Sequence, residues 1–262
     1  MEVIIQKDKE AAAALTAQII STALKDKPQL ILGLATGRTM EDVYRLLVDI
    51  HVNNSLDFSQ CTTFNLDEYV GLSHSDDNSY RSYMNRNLFS KVNIKVQNTH
   101  VPNGIAVNLD EECKRYDQLI RDCGGIDLQL LGIGKDGHIG FNEPLSALRS
   151  RTRVKALTPE TVEQNKGLFI NPSTVPRRAI TMGVGTILES KRCVILVTGF
   201  KKADILRKAV EGPITSMVTA SAMQLHPSCT VIVDEEAAEL LAGKKYYQWI
   251  FENEPEWAQY RK

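Results

Sequence analysis

The chain has 262 residues, with 31 Lys plus Arg against 32 Asp plus Glu, and 43% of its residues are hydrophobic. That length buries a substantial core, and a formal net charge of -1 excludes a protein built to grip a nucleic-acid backbone, which needs a visible excess of Lys and Arg. Charge balance of this kind still permits a small cationic pocket for an anionic metabolite.

In chain order, short apolar and β-branched runs occur at Gln29 to Leu34, Cys61 to Leu66, Ile126 to Ile133, Arg192 to Thr198 and Cys229 to Val233. They are nearly continuous rather than alternating, which predicts strands buried on both faces. Helical periodicity separates them at Asp8 to Lys25, Thr39 to His51, Ser79 to Phe89, Asn108 to Cys123, Lys201 to Glu211 and Asp234 to Ala242. The alternation predicts an α/β fold, doubly wound and Rossmann-like, with a mostly parallel sheet and helices on both faces. Pro and Gly are scattered singly and never gather into a linker, so residues 1–262 are expected to form one domain.

The N-terminal MEVIIQKDKE places a short apolar run before mixed charges, unlike the apolar core of a signal peptide, and no run is long enough to cross a bilayer. The five cysteines are odd in number and lack a CxxC pair, so reduced thiols and a cytoplasmic location are expected.

Ligands of an open parallel sheet bind beyond the carboxyl ends of its strands, which directs attention to the residues following each run. After the first, Gly33-Leu-Ala-Thr-Gly-Arg-Thr39 leads into a helix, and such a turn offers backbone N–H groups and hydroxyls to a phosphate. It is not a P-loop, being one residue short with Arg38 in the lysine position. The competing reading is an ordinary helix cap by Thr36 or Thr39. After the second run, Asn65-Leu-Asp-Glu-Tyr-Val-Gly-Leu72 places Asp67 and Glu68 side by side. Either acid suits a general base, and either would also serve as a turn or cap residue.

The third strand end is the richest, Gly132-Ile-Gly-Lys-Asp-Gly-His-Ile-Gly-Phe-Asn-Glu-Pro144. Its glycines let the backbone approach a ligand, and Asp136, His138 and Glu143 form a titratable trio around the one side chain that exchanges protons near neutrality. The Gly132-x-Gly134-x-x-Gly137 spacing formally matches a dinucleotide fingerprint. Arg151, Arg153 and Lys155 stand where that fingerprint needs an acid, and Pro144 interrupts the helix it needs. After the fourth run, Lys201 or Lys202 opens a helix, where a cation implies a neighbouring anion. Asp234-Glu235-Glu236 after the fifth reads as the acidic first turn of a helix. The five histidines show no metal-binding spacing, and no Gly-x-Ser-x-Gly elbow occurs, so neither a metal nor a covalent nucleophile is expected.

These segments resemble the glucosamine-6-phosphate deaminase family from Leu30 to about Asp234. The matching stretches are Gly33-Leu-Ala-Thr-Gly37, Phe64-Asn-Leu-Asp-Glu-Tyr-Val-Gly-Leu72, Gly134-Lys-Asp-Gly-His-Ile-Gly-Phe-Asn-Glu-Pro144, Ser150-Arg-Thr-Arg-Val-Lys155, Gly199-Phe-Lys-Lys-Ala203 and Leu225-His-Pro227. The resemblance implies conversion of glucosamine 6-phosphate and water to fructose 6-phosphate and ammonia, without a cofactor. It implies that His138, supported by Asp136 and Glu143, opens the sugar ring, and that Asp67 moves the C2 proton to C1. It assigns the phosphate to Thr36, Gly37, Arg38, Thr39 and Lys202. It also matches Ser146, Arg153 and Lys155 to part of an effector site that some relatives use for N-acetylglucosamine 6-phosphate at a subunit boundary, which leaves a homo-oligomer open.

Two departures stand out. The family usually carries an Arg in an Asn-x-Arg-Phe stretch, where this chain reads Asn165-Lys-Gly-Leu-Phe169, and a small residue where Arg38 stands. Arg38 is expected to replace the missing guanidinium, with Lys166 as the competing substitute. The alternative activities are deamination of a related substrate such as galactosamine 6-phosphate, and a 6-phosphogluconolactonase-like hydrolysis, which would not need Asp67. A catalytically inactive sugar-phosphate sensor is disfavoured because all four acid–base residues are present.

Overall fold

A computed structural model describes residues 1–169 and 175–261, with the turn proline Pro172 outside them. Among the described residues, ten strands and eight α-helices follow one another as β1 (Glu2–Gln6), α1 (Lys9–Asp26), β2 (Ile31–Leu34), α2 (Arg38–Asn54), β3 (Thr62–Asn65), β4 (Asp67–Tyr69), α3 (Tyr80–Asn87), β5 (Thr99–His100), α4 (Leu109–Asp122), β6 (Leu128–Leu131), β7 (Arg153–Ala156), α5 (Pro159–Asn165), β8 (Arg178–Thr181), α6 (Val184–Leu188), β9 (Arg192–Val197), α7 (Ala203–Val210), β10 (Cys229–Asp234) and α8 (Lys244–Asn253). Seven strands form a parallel sheet in the order β1-β10-β9-β6-β2-β3-β5, with helices on both faces, as the continuous apolar runs predict.

The order of strands locates the site. From β2 the chain proceeds outward through β3 to β5, then crosses back to β6 on the other side of β2 and continues through β9 to β10. The direction of winding reverses between β2 and β6, which opens a crevice at their carboxyl ends.

Four features depart from expectation. The N-terminal apolar run is a strand: Val3, Ile4 and Ile5 are buried as β1 pairs along β10. The second is β5, two residues long and pairing with β3 at the far edge. The third is a second, antiparallel sheet of β4, β8 and β7, which begins at Asp67 and carries its own apolar cluster of Tyr69, Phe141, Leu157, Phe169, Val175 and Ala179.

Finally, the segment predicted as a helix from Asp234 to Ala242 is a series of turns, and the last helix is α8. The Asp234 carboxylate accepts from the Ala237 N–H at 2.8 Å while Ala237 and Ala238 pack fully buried, so local capping and packing override helix propensity. The five cysteines are free thiols, four of them buried, and among the described residues no helix is long and apolar enough to cross a membrane.

Candidate active site

A cleft of about 230 Å³ lies over the β2/β6 reversal, and all the strand ends singled out above except that of β10 reach it. Thr36, Gly37, Arg38 and Thr39 line it after β2, Asp67 after β3, Gly134 and His138 after β6, and Lys202 after β9. Tyr80, Thr161, Gln164 and Asn165 complete the wall from α3 and α5.

On the β2 side, Gly37 occupies the N-cap of α2 at φ +123°, and no side chain caps the helix. The alternative cap by Thr36 or Thr39 is therefore absent, and the N-terminus of a 17-residue helix, with Glu41 in its first turn, meets the cleft without a side-chain cap. On the opposite bank Lys202 is half-buried, its Nζ donating to the Ile133 carbonyl at 2.7 Å, and burial lowers its pKa. Lys201 is exposed and does not line the cleft. Lys166 forms an ion pair with Glu163 and is likewise outside the lining, whereas Arg38 is within it.

Asp67 and Glu68 separate cleanly. Glu68 is fully buried, and its carboxylate accepts the backbone N–H groups of Tyr69 at 2.9 Å, Tyr80 at 2.9 Å and Arg81 at 3.0 Å. It thus ties β4 to the first turn of α3 and is engaged in structure. Asp67 heads β4, paired with Thr181 of β8, and lines the cleft with no hydrogen bond to its carboxylate among the described residues. Burial, followed by the neighbouring Glu68 charge, pushes its pKa up to about 8, and His138 opposes the shift.

The β6 loop places the histidine. Gly137, at φ +89°, turns the chain where a Cβ would meet Val218 at 2.6 Å, and its carbonyl accepts from Ala220 N at 2.9 Å. The His138 ring lies against Gly134, whose N–H donates to the His138 carbonyl at 2.8 Å. His138 Nδ1 sits 2.6 Å from Asp136 Oδ1 and 3.4 Å from Glu143 Oε2. The short contact lies off the ring N–H axis, so it acts as a charge pair more than a directed hydrogen bond. Burial alone would lower the histidine pKa, but the two carboxylates raise it to about 9. Asp136 shows the reverse balance: burial raises its carboxyl, and His138 holds it below the usual carboxylate range.

Glu143 is aimed from its other oxygen, which accepts from Thr161 Oγ1 at 2.6 Å and Thr158 N at 3.3 Å. The Thr158-Pro159 pair signals a helix start, and it begins α5, but sequence spacing does not reveal that this helix clamps Glu143. The three donor atoms of Asp136, His138 and Glu143 lie within 4.8 Å of one another. A metal ion fits poorly there: at 2.6 Å the Asp136 and His138 atoms are closer than two ligands around one zinc, each about 2.0–2.2 Å from it, normally stand. A charged imidazole flanked by two carboxylates fits better.

The effector-site residues fall elsewhere. Ser146 is buried with an unpartnered Oγ, Lys155 is half-buried on β7, and Arg153 donates to Asn142 Oδ1 at 2.8 Å. None of the three lines the cleft. Asn142 precedes Glu143, so Arg153 bonds to the loop that carries Glu143.

Comparison with known proteins agrees with this geometry. The family profile described as glucosamine-6-phosphate isomerases/6-phosphogluconolactonase matches residues 6–232. A glucosamine-6-phosphate deaminase of Thermoanaerobacter pseudethanolicus is 45% identical over 241 residues, covering 92% of this chain and 95% of its own. Another, from Shewanella loihica, is 47% identical over 250 residues, covering 95% and 93%. The solved structure of a monomeric glucosamine-6-phosphate deaminase superposes with a TM-score of 0.90 at 45% identity, covering 92% of this chain and all of that one. A 6-phosphogluconolactonase from Trypanosoma cruzi shares the fold, with a TM-score of 0.74 at 18% identity, covering 92% of this chain and 97% of its own. With an uncapped helix terminus, a buried carboxylate and a charged histidine gathered in one cleft, and with these relatives, the chain belongs to the glucosamine-6-phosphate isomerase/6-phosphogluconolactonase family, among its glucosamine-6-phosphate deaminases.

Proposed function

We propose that this protein converts glucosamine 6-phosphate and water to fructose 6-phosphate and ammonia by acid–base catalysis. The observation that carries the reading is the pairing, in one cleft, of Asp67, a buried carboxylate of raised pKa, with His138, held charged by Asp136 and Glu143. A lactonase would not need a carboxylate at Asp67.

The phosphate docks between the α2 terminus, with Thr36, Gly37, Arg38 and Thr39, and the ammonium of Lys202. His138 turns Nδ1 to the two carboxylates and presents its other edge to the sugar, where it moves a proton between the anomeric hydroxyl and the ring oxygen to open the ring. Ionised Asp67, a stronger base for its raised pKa, removes the proton from C2 of the open-chain aldose and returns one at C1. The resulting C2 imine is hydrolysed, water supplying the ketone oxygen as ammonia leaves. No step calls on a metal or cofactor.

Arg38 supplies the guanidinium that Gly167 denies the family position. Replacing it with Ser is expected to raise KM for the sugar phosphate with kcat little changed, and an unchanged KM would return the role to Lys166. The chain acts as one unit, since the cleft draws on strand ends from Ala35 to Lys202. Free thiols and a phosphorylated substrate support a cytoplasmic setting. Response to N-acetylglucosamine 6-phosphate through Ser146, Arg153 and Lys155 is tied to self-assembly, and the similar solved structure is described as monomeric, which supports a monomer. Sedimentation with and without that sugar tests both.

The test of the activity is to offer glucosamine 6-phosphate, galactosamine 6-phosphate and 6-phosphogluconolactone in parallel. Ammonia with fructose 6-phosphate from the first is expected. Preference for the second would reassign the substrate, and hydrolysis of the third alone would overturn the reading.

A further inference from the structure

The end of β10, outside the cleft, carries a buried acid that the mechanism above does not use. Asp234 is 4% exposed, and both its oxygens accept from the Gly199 N–H, at 2.9 and 3.0 Å. The parallel register sets Val197 of β9 opposite Val233 of β10, so the residues that follow, Gly199 and Asp234, meet at the carboxyl edge of the sheet. Gly199 turns at φ +87°, and its carbonyl accepts from the Lys202 N–H at 3.0 Å, closing the 3-10 turn Phe200–Lys202 that starts α7. Exposed Glu236 adds a weaker contact, accepting from Phe200 N at 3.3 Å.

We infer that Asp234 is a positioning residue for phosphate recognition, acting through Lys202. In an open α/β sheet the Gly-containing turn after a strand is where a phosphate finds free backbone N–H groups. Here the turn after β9 already holds an anion of the protein's own, Asp234, and the N–H groups of Gly199 and Phe200 are spent on Asp234 and Glu236. The substrate phosphate is thereby kept from the Gly199 and Phe200 N–H groups and left to the uncapped α2 terminus and the Lys202 ammonium. The same bonds fix the short turn whose last residue is Lys202, so its ammonium can reach the Ile133 carbonyl and the cleft wall.

The inference rests on the phosphate role of Lys202, and a double-mutant cycle separates the two. Lys202→Ala, Asp234→Ala and the double variant are compared for KM and kcat with glucosamine 6-phosphate, with melting temperatures recorded. Asp234→Ala is expected to raise KM roughly tenfold with kcat little changed, the size of losing one charge-assisted contact. The double variant should bind no worse than Lys202→Ala, because both changes remove the same contact. An unchanged KM in Asp234→Ala, or effects that multiply in the double variant, would overturn the inference. An unchanged KM in Lys202→Ala would instead remove the phosphate role of the lysine. Should Asp234→Ala fail to fold, Asp234→Asn keeps one acceptor oxygen and the side-chain shape, and a smaller rise in KM, again absent on the Lys202→Ala background, is expected.

Discussion

The imidazole of His138 rests on Gly134 so closely that a Cβ at Gly134 would lie 2.3 Å from Cε1 and 2.4 Å from Nε2. The glycine is a seat for the ring: any larger residue drives the imidazole from Asp136 and Glu143 or toward the cleft. Gly134→Ala should therefore reduce kcat by at least about 10²-fold, the lower range for a positioned proton transfer, while the protein stays folded. Steady-state kinetics with circular dichroism would check this. Near-normal kcat would mean the ring needs no such seat.

The rate should follow a bell in pH. The proposed mechanism needs Asp67 ionised, so kcat/KM should rise toward about 8, and His138 protonated, so kcat/KM should fall above about 9. Glu143→Gln removes one of the anions that raise the His138 pKa, and the falling limb should move to lower pH. A falling limb unmoved in Glu143→Gln would assign it to another group.

Neighbouring acids should fail in different ways. Glu68→Gln keeps one acceptor oxygen but turns the other into an NH2 group facing a buried backbone N–H, at a cost of about 1–3 kcal/mol, lowering the melting temperature by roughly 2–10 °C. Asp67→Asn removes a buried carboxylate that forms no hydrogen bond among the described residues, so its melting temperature should hold while activity collapses. Calorimetry of the two variants separates the roles, and a large loss of stability in Asp67→Asn would make it structural.

Much of this site can be read in the sequence because the fold concentrates it at strand ends. Once five buried runs are recognised, Thr36 to Thr39, Asp67, the Asp136–Glu143 loop and Lys202 fall where an open sheet binds ligands. Local sequence is less able to rank equivalent candidates. Asp67 and Glu68 are adjacent acids, and only the antiparallel sheet and α3, formed by residues far along the chain, commit Glu68 to backbone N–H groups.

The hidden parts share that cause. Asp234 and Glu236 look like the acidic start of a helix, yet Asp234 is spent on a loop 35 residues away. Thr161 looks like part of a helix start and holds Glu143 across 18 residues. The two-residue β5 is too short to declare a period, and both it and β1 are set by the neighbours they pair with.

The central claim is that Asp67 is the base that carries the proton from C2 to C1. Its most direct test is stoichiometric: ammonia and fructose 6-phosphate formed from glucosamine 6-phosphate by the unaltered protein and by folded Asp67→Asn at equal concentration. The account predicts equal amounts of the two products from the former and a rate lower by about 10²- to 10⁴-fold from the latter. Ammonia released at an undiminished rate by Asp67→Asn would contradict it.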